Sequence, residues 1–385
     1  MIRYTNSAAR GLIALSLSLG LFLGLIPGLT AAATTACGTL DAPPTAMVPS
    51  TGDVLSAGHL GREIGETEPL IHFYSDLIGF ELRGPRTAPR PFFVARGLQV
   101  FAELGEDDDV YKSTSRVALL PIPGTSATKG VAEMTIEAIE IKGVKSRPYH
   151  PALRDPGASY LKIFVRDLDK TLGLLKDERS TVITAGGAPV DIEWPGIAGK
   201  VRAVMLRDTD GYPVQLLQVT PAPASTAPAD SKVLGARVTI VVNNLETSCK
   251  FYQDLAGPEL KFWESPKWID DKADAQLTNT SGPFRVAQAM VPGSPVVLEL
   301  VEYKAHNHQF KRGFIQDPGT AHFLFMVKDT DDIVARVHAI KAHTLSKTND
   351  ATFISPTVRS MFVPDPQGFW LEFMDHNVKK DPTAK

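Results

Sequence analysis

The sequence is poor in cysteine, with two in 385 residues, too few for a disulfide framework. It also has no surplus of positive charge: 40 Lys and Arg against 43 Asp and Glu give a formal net charge of -3. Without a basic stripe to neutralise phosphates, the composition argues against nucleic acid as a partner. A Gly-rich phosphate loop, a CxxC pair and a GxSxG elbow are missing too, so nucleotide-dependent and serine-hydrolase chemistry have no support. Of the two cysteines, Cys249 lies in LETSCKFYQDL, four residues after Leu245, and reads as a buried helical thiol. Cys37 lies outside any recognisable element, and nothing in its spacing pairs it with Cys249.

With 43% hydrophobic and 22% charged residues, the chain has ordinary globular composition and is long enough for two or more cores. Residues 1–36 are of a different kind. Arg3 and Arg10 form a charged start, Gly11 to Thr30 carries no charge, and small residues follow in LTAAATTACG. That order predicts a secretory signal and hence a periplasmic or secreted protein. The alternatives are an uncleaved membrane anchor or a lipid on Cys37, and only through these would the chain meet a membrane. Residues 37–54, rich in Pro, Thr and Ala, read as a flexible tether.

The remainder repeats itself. FYSDLIGFEL at 73–82 returns as FYQDLAGPEL at 251–260, and Arg116-Val117-Ala118 returns as Arg285-Val286-Ala287. IEAIEIK at 136–142 returns as LELVEYK at 298–304, RDPGASY at 154–160 as QDPGTAH at 316–322, and RDTDGYPVQLL at 207–217 as PDPQGFWLEFM at 364–374. Order is kept while the loops change length. Two homologous domains are therefore expected at 55–220 and 232–377, joined by the Pro/Ala/Ser linker 221–231 and followed by a tail, 378–385.

Each copy divides again. A strand over about 55–64 leads into a helix from Glu68-Pro69 to near Leu77 and three further strands ending at Lys142; YLKIFVRD and LDKTLGLLK restart the same plan. The second copy begins its halves with ARVTIVV and AHFLFMVK. The predicted class is α+β, with four βαβββ units, paired two per domain around a curved mixed sheet that encloses a cup.

FYxDLxGxEL after the first strand and helix, with closing segments such as Asp365–Leu371 followed by Glu372, resembles the vicinal oxygen chelate superfamily. That group contains glyoxalases, bleomycin-resistance proteins, extradiol dioxygenases and fosfomycin-resistance enzymes. The resemblance covers roughly residues 55–376 and implies ligands from the first and last strands of paired units, aimed into the cup. By position it assigns His59, Glu137, Tyr160 and Gln215 to the N-terminal cup, and Arg237, Glu299, His322 and Glu372 to the C-terminal one.

Glu299 in VVLELV, Glu372 in FWLEFM and His322 opening HFLFMV stand among apolar neighbours, where an ionised group needs a cation or a strong donor. His322, Glu372 and Glu299 are accordingly the expected ligands of a divalent metal (Fe, Mn or Zn) in the C-terminal cup, with Glu299 and Arg237 as candidate catalytic groups. Arg237 offers the opposite solution, since a guanidinium can neutralise the carboxylates and leave no need for metal. His59, Glu137, Tyr160 and Gln215 read as a ligand-binding or structural set. His306, His308, Lys311 and Arg312, in KAHNHQFKRG, could border the mouth or form a solvated loop. The expectation is an exported glyoxalase- or dioxygenase-like protein acting on a small oxygen-chelating molecule. The alternative is a metal-free binding protein of the bleomycin-resistance kind. Whether the chain forms a homodimer is left open.

Overall fold

The structure is a computed structural model that describes residues 37–376 apart from 41, 45, 84–89, 92–112, 128–132, 177–179, 266, 305–311, 347 and 356. The signal-like residues 1–36, the tail 378–385, and His306, His308 and Lys311 therefore lie outside the described residues. No helix among the described residues is long and apolar enough to cross a membrane.

The four units are present. The first contains β2 (Val54–Ile64), helix α1 (Thr67–Ile71) running on as a π-helical stretch over His72–Ile78, β3 (Arg90–Pro91), β4 (Thr114–Pro121) and β5 (Thr135–Lys142); a short strand, β1 (Gly38–Leu40), precedes it. The second has β6 (Ser159–Val165), α2 (Leu168–Leu175), β7 (Thr181–Val182), β8 (Val190–Ile192), β9 (Lys200–Arg207) and β10 (Pro213–Thr220). The third has β11 (Val233–Val242), α3 (Leu245–Ala256), β12 (Phe262–Glu264), α4 (Lys272–Thr278), β13 (Phe284–Met290) and β14 (Val297–Tyr303). The fourth has β15 (Ala321–Val327), α5 (Thr330–Ala339), β16 (Thr352–Ser355), β17 (Val358–Pro364) and β18 (Trp370–Asp375). In the last three units the helix after the first strand starts on a side-chain cap. Asp167, Asn244 and Asp329 accept from the amides of Lys170, Thr247 and Asp331, satisfying donors that a first helical turn leaves open.

The units do not pair within each half of the sequence. The eight-stranded sheet runs β16-β17-β18-β15-β2-β5-β4-β3 and joins the first unit to the fourth. The other sheet runs β1-β12-β13-β14-β11-β6-β10-β9-β7, with β8 on β9, and joins the second unit to the third. Each seam is an antiparallel pair of leading strands, β2 with β15 and β6 with β11. The sheets therefore do not follow the domains expected at 55–220 and 232–377: each takes one unit from each half of the sequence. The short 221–231 connection brings β11 back beside β6, which leaves the first and last units to close on each other.

The helices lie on the convex sides, where Leu60, Ile136, Leu161, Ile163, Val238, Ile240, Phe323 and Phe325 belong to one continuous buried cluster with Leu70, Leu168, Leu245 and Ile333. This shared core, built by the alternation of the strands, unites both sheets. The opposite, cup-side faces carry the chemistry.

Two expectations for the N-terminal segment are corrected. Cys37 and Cys249 form a disulfide, 5.4 Å between Cα atoms, so Cys249 is not a free helical thiol. Residues 37–54 are not a loose tether throughout: Gly38–Leu40 pairs in parallel with β12, and the Gly293 amide donates to the Val48 carbonyl. The docked strand brings Cys37 to α3, a proximity that sequence spacing does not reveal.

Candidate metal centre

In the first cup, formed by the first and fourth units, neighbouring strands β5, β2, β15 and β18 contribute Glu137, His59, His322 and Glu372. His59 Nε2 lies 2.8 Å from Glu372 Oε2 and 3.1 Å from His322 Nε2, and the latter is 3.3 Å from the same carboxylate oxygen. His59, His322 and Glu372 each offer a ligand atom within 4.8 Å of the others. Glu137 Oε2 stands 3.2 Å from His59 Nε2, and its side chain is the more exposed of the pair.

Register produces this convergence. Gly61 is opposite both His322 and Glu137, and a Cβ on it would lie 1.9 Å from His322 Cε1. Only the bare backbone lets that ring cross β2 toward His59. Behind Glu372, Ser360 Oγ on β17 donates to Oε1, leaving Oε2 for the two imidazoles.

Burial works against a charged His59, but the Glu137 charge and the Glu372 hydrogen bond outweigh it and raise its pKa. Burial likewise opposes ionised Glu372, yet the imidazoles hold its pKa far below the usual carboxylate range. Two imidazole nitrogens this close, facing one carboxylate oxygen, require a proton or a cation among them. The donor set suits a divalent ion of the Fe, Mn or Zn type. Glu63, further along β2, is buried with Oε2 unpartnered among the described residues; burial and the Glu137 charge push its pKa well up.

The second cup has a different interior. Glu299 Oε1 accepts from Arg237 Nη1 at 2.9 Å, Gln288 Nε2 at 2.8 Å and Trp194 Nε1 at 3.2 Å. Oε2 accepts from Thr239 Oγ1 at 2.9 Å and is ion-paired with the fully buried Lys162. The Lys162 ammonium also stands 3.3 Å from the centre of the Trp194 ring, a cation–π contact. Burial lowers the Lys162 pKa to about 8 despite Glu299, whose own pKa is held below normal by Lys162 and Arg237 against its burial. Trp194, Phe284, Tyr303 and Tyr160 belong to one buried cluster.

The expected site residues are thus regrouped. His322 and Glu372 come together as expected, but Glu299 is not their third partner; it lies in the other cup with Arg237. Within the expected N-terminal set, His59 and Glu137 join His322 and Glu372, whereas Tyr160 and Gln215 lie in the second cup. Sequence reasoning missed Lys162, Ser360, Glu63 and Gly61. A lone lysine in the otherwise apolar run YLKIFV was the available signal for the first of these. Arg312 is described and its guanidinium lies 4.6 Å over the Trp370 ring.

Residues 236–373 match the Glyoxalase/Bleomycin resistance protein/Dioxygenase superfamily. No curated protein sequence matches the chain. Among solved structures, a glyoxalase I mutant from Zea mays is similar at 17% identity and a TM-score of 0.50, over 84% of this chain and 94% of that one. A glyoxylase/bleomycin resistance protein/dioxygenase domain from a Frankia species is 18% identical, over 38% of this chain and 90% of that one, with a TM-score of 0.25. A fosfomycin resistance protein from Listeria monocytogenes, complexed with Mn(II) and sulfate, is 14% identical, over 37% and 91%, with a TM-score of 0.22. The resemblance is therefore shown on both counts: residues 236–373 match the glyoxalase/bleomycin resistance/dioxygenase superfamily in sequence, and the chain has the fold of the vicinal oxygen chelate proteins.

Proposed function

We propose that the first cup is the active site of an exported, divalent-metal-dependent enzyme that acts on a small oxygen-chelating organic molecule. The observation that carries this reading is the convergence of His59 Nε2, His322 Nε2 and Glu372 Oε2 within 4.8 Å. These three would hold the ion, which would supply Lewis-acid polarisation of the substrate oxygens. Three protein ligands leave room for a bidentate substrate. Ser360 fixes the Glu372 carboxylate, and Gly61 leaves space for the His322 ring.

Glu137 is placed to act as a fourth ligand or as the base. Its Oε2 lies beside His59, and its partial exposure lets it reach a substrate proton. Burial and the Glu137 charge push the Glu63 pKa up, which works against a further negative charge in the cup. Leu119 is partly exposed and directly opposite Glu137 on β4, an apolar wall for the carbon skeleton. Export is supported by the signal-like first 36 residues and by the Cys37–Cys249 disulfide, a bond typical of oxidising compartments.

Protein purified without added metal, assayed with α-oxo aldehyde thiol adducts and with catechols under an oxygen electrode, tests both parts. The expected result is a bound divalent ion and turnover in one of these substrate classes, both lost in His322→Ala. A folded, metal-free protein that takes up no ion on titration would overturn the reading. Mass analysis of the mature chain from the periplasm or medium tests export; the full-length chain in the cytoplasm would contradict it.

A further inference from the structure

The second cup opens on one side into a groove that the proposed metal chemistry does not use. Phe164, Ile197, Leu234, Met290 and Val297 line it, with the linker Pro221–Ala224, and among its described lining residues Arg237 alone carries a charge. The other lining side chains are apolar, or are glycine and proline.

The Arg237 side chain is 14% exposed and belongs to the groove lining. Its known hydrogen bonds, to Glu299 Oε1 and to the Gly196 carbonyl at 2.9 Å, use only part of its donor fork. Phe164 lies 5.6 Å from Cζ. Behind it the charges do not balance: Lys162 and Arg237 are two cations against the single carboxylate Glu299. Asp274, which also attracts Lys162, is ion-paired with a third cation, Arg154, at 3.0 Å. Gln215 adds a buried amide, whose Nε2 has no partner among the described residues. An excess buried cation is costly, and an arriving anion relieves that cost.

We infer that this groove is a second, metal-independent binding site for an apolar organic carboxylate, whose anionic head pairs with Arg237 while its hydrocarbon body lies on Phe164, Ile197, Met290 and Val297. The combination of a largely apolar wall with one fixed polar anchor is the usual composition of a small-molecule site. Neutral molecules of the same shape would leave the cation unrelieved, and cationic ones would be repelled by it.

The test is calorimetric titration of the full-length, disulfide-bonded chain with naphthoate, naphthalenemethanol, naphthylmethylamine and acetate. The expected result is saturable binding of naphthoate with one site per chain, weaker binding of acetate and the alcohol, and none of the amine. EDTA should leave naphthoate binding unchanged. Arg237→Gln should weaken it by roughly tenfold or more, as expected for loss of a charge-assisted pair, and Arg237→Lys should restore part of that loss. Should Arg237→Gln fail to fold, Met290→Glu, on the groove wall and outside the charge cluster, should weaken binding by like-charge repulsion. Equal affinity for the alcohol or acetate, loss of binding with EDTA, or full affinity in Arg237→Gln or Met290→Glu would each overturn the proposal.

Discussion

The two cups are built from the same unit, yet they satisfy a buried acid in opposite ways. In the first, Glu372 faces two imidazoles and one serine, none of which carries a fixed positive charge. In the second, Glu299 faces Lys162, Arg237, Gln288, Trp194 and Thr239, so the cation is part of the chain. One cup therefore gathers donors that could share a cation, and the other already carries its own cations. The lesson is that a shared acidic position, Glu137 in one and Glu299 in the other, says little about metal until its neighbours across the seam are known.

The largest effects should divide the cups cleanly. His322→Ala should reduce metal from one ion per chain to none by elemental analysis, while Glu299→Gln should leave the ion in place. A loss of metal in Glu299→Gln would break the comparison. Glu299→Gln should at the same time lower stability by about 3–5 kcal/mol, the cost of leaving Lys162 and Arg237 without their acid. Urea unfolding of the metal-free protein measures it, and a change under about 1 kcal/mol would show that the two cations do not depend on Glu299.

Smaller effects sharpen the first cup. Ser360→Ala should weaken metal binding by about 10–100-fold, the range for losing a group that orients a ligand; competition with a chelating dye reads it out. Gly61→Ala should act in the same direction, because its Cβ occupies the place of the His322 ring. The smallest expected effect is with pH. The pKa of His59 in the metal-free chain is raised above its ordinary 6.5, and metal must displace that proton. Affinity should therefore begin to fall as pH drops through a value above 6.5, by up to about tenfold per unit for one displaced proton. An affinity that stays flat down to pH 5 would remove His59 from the ligand set.

Much of the fold was legible. Strand-then-helix runs such as YLKIFVRD into LDKTLGLLK exposed the units, because alternation and helical periodicity are local. All four residues of the first cup were also legible one by one. Their grouping was not. A leading strand presents the same hydrogen-bonding edge whichever unit it joins, so β2 has no local feature that chooses β15 over β6. His59 and His322, 263 positions apart, meet only because the short linker commits β11 to β6. The Cys37–Cys249 bond escaped for the same reason, since the docking of β1 on β12 is long-range. Lys162 was passed over as one residue of a strand, although seven buried positions in a row made its charge the feature that needed explaining.

Anomalous diffraction from crystals soaked in Mn(II) tests the central claim most directly. The account requires one strong peak in the first cup, bonded to His59 Nε2, His322 Nε2 and a Glu372 oxygen, and none beside Glu299. An empty first cup at saturating Mn(II), or a peak at Glu299 with Lys162 displaced, would contradict it.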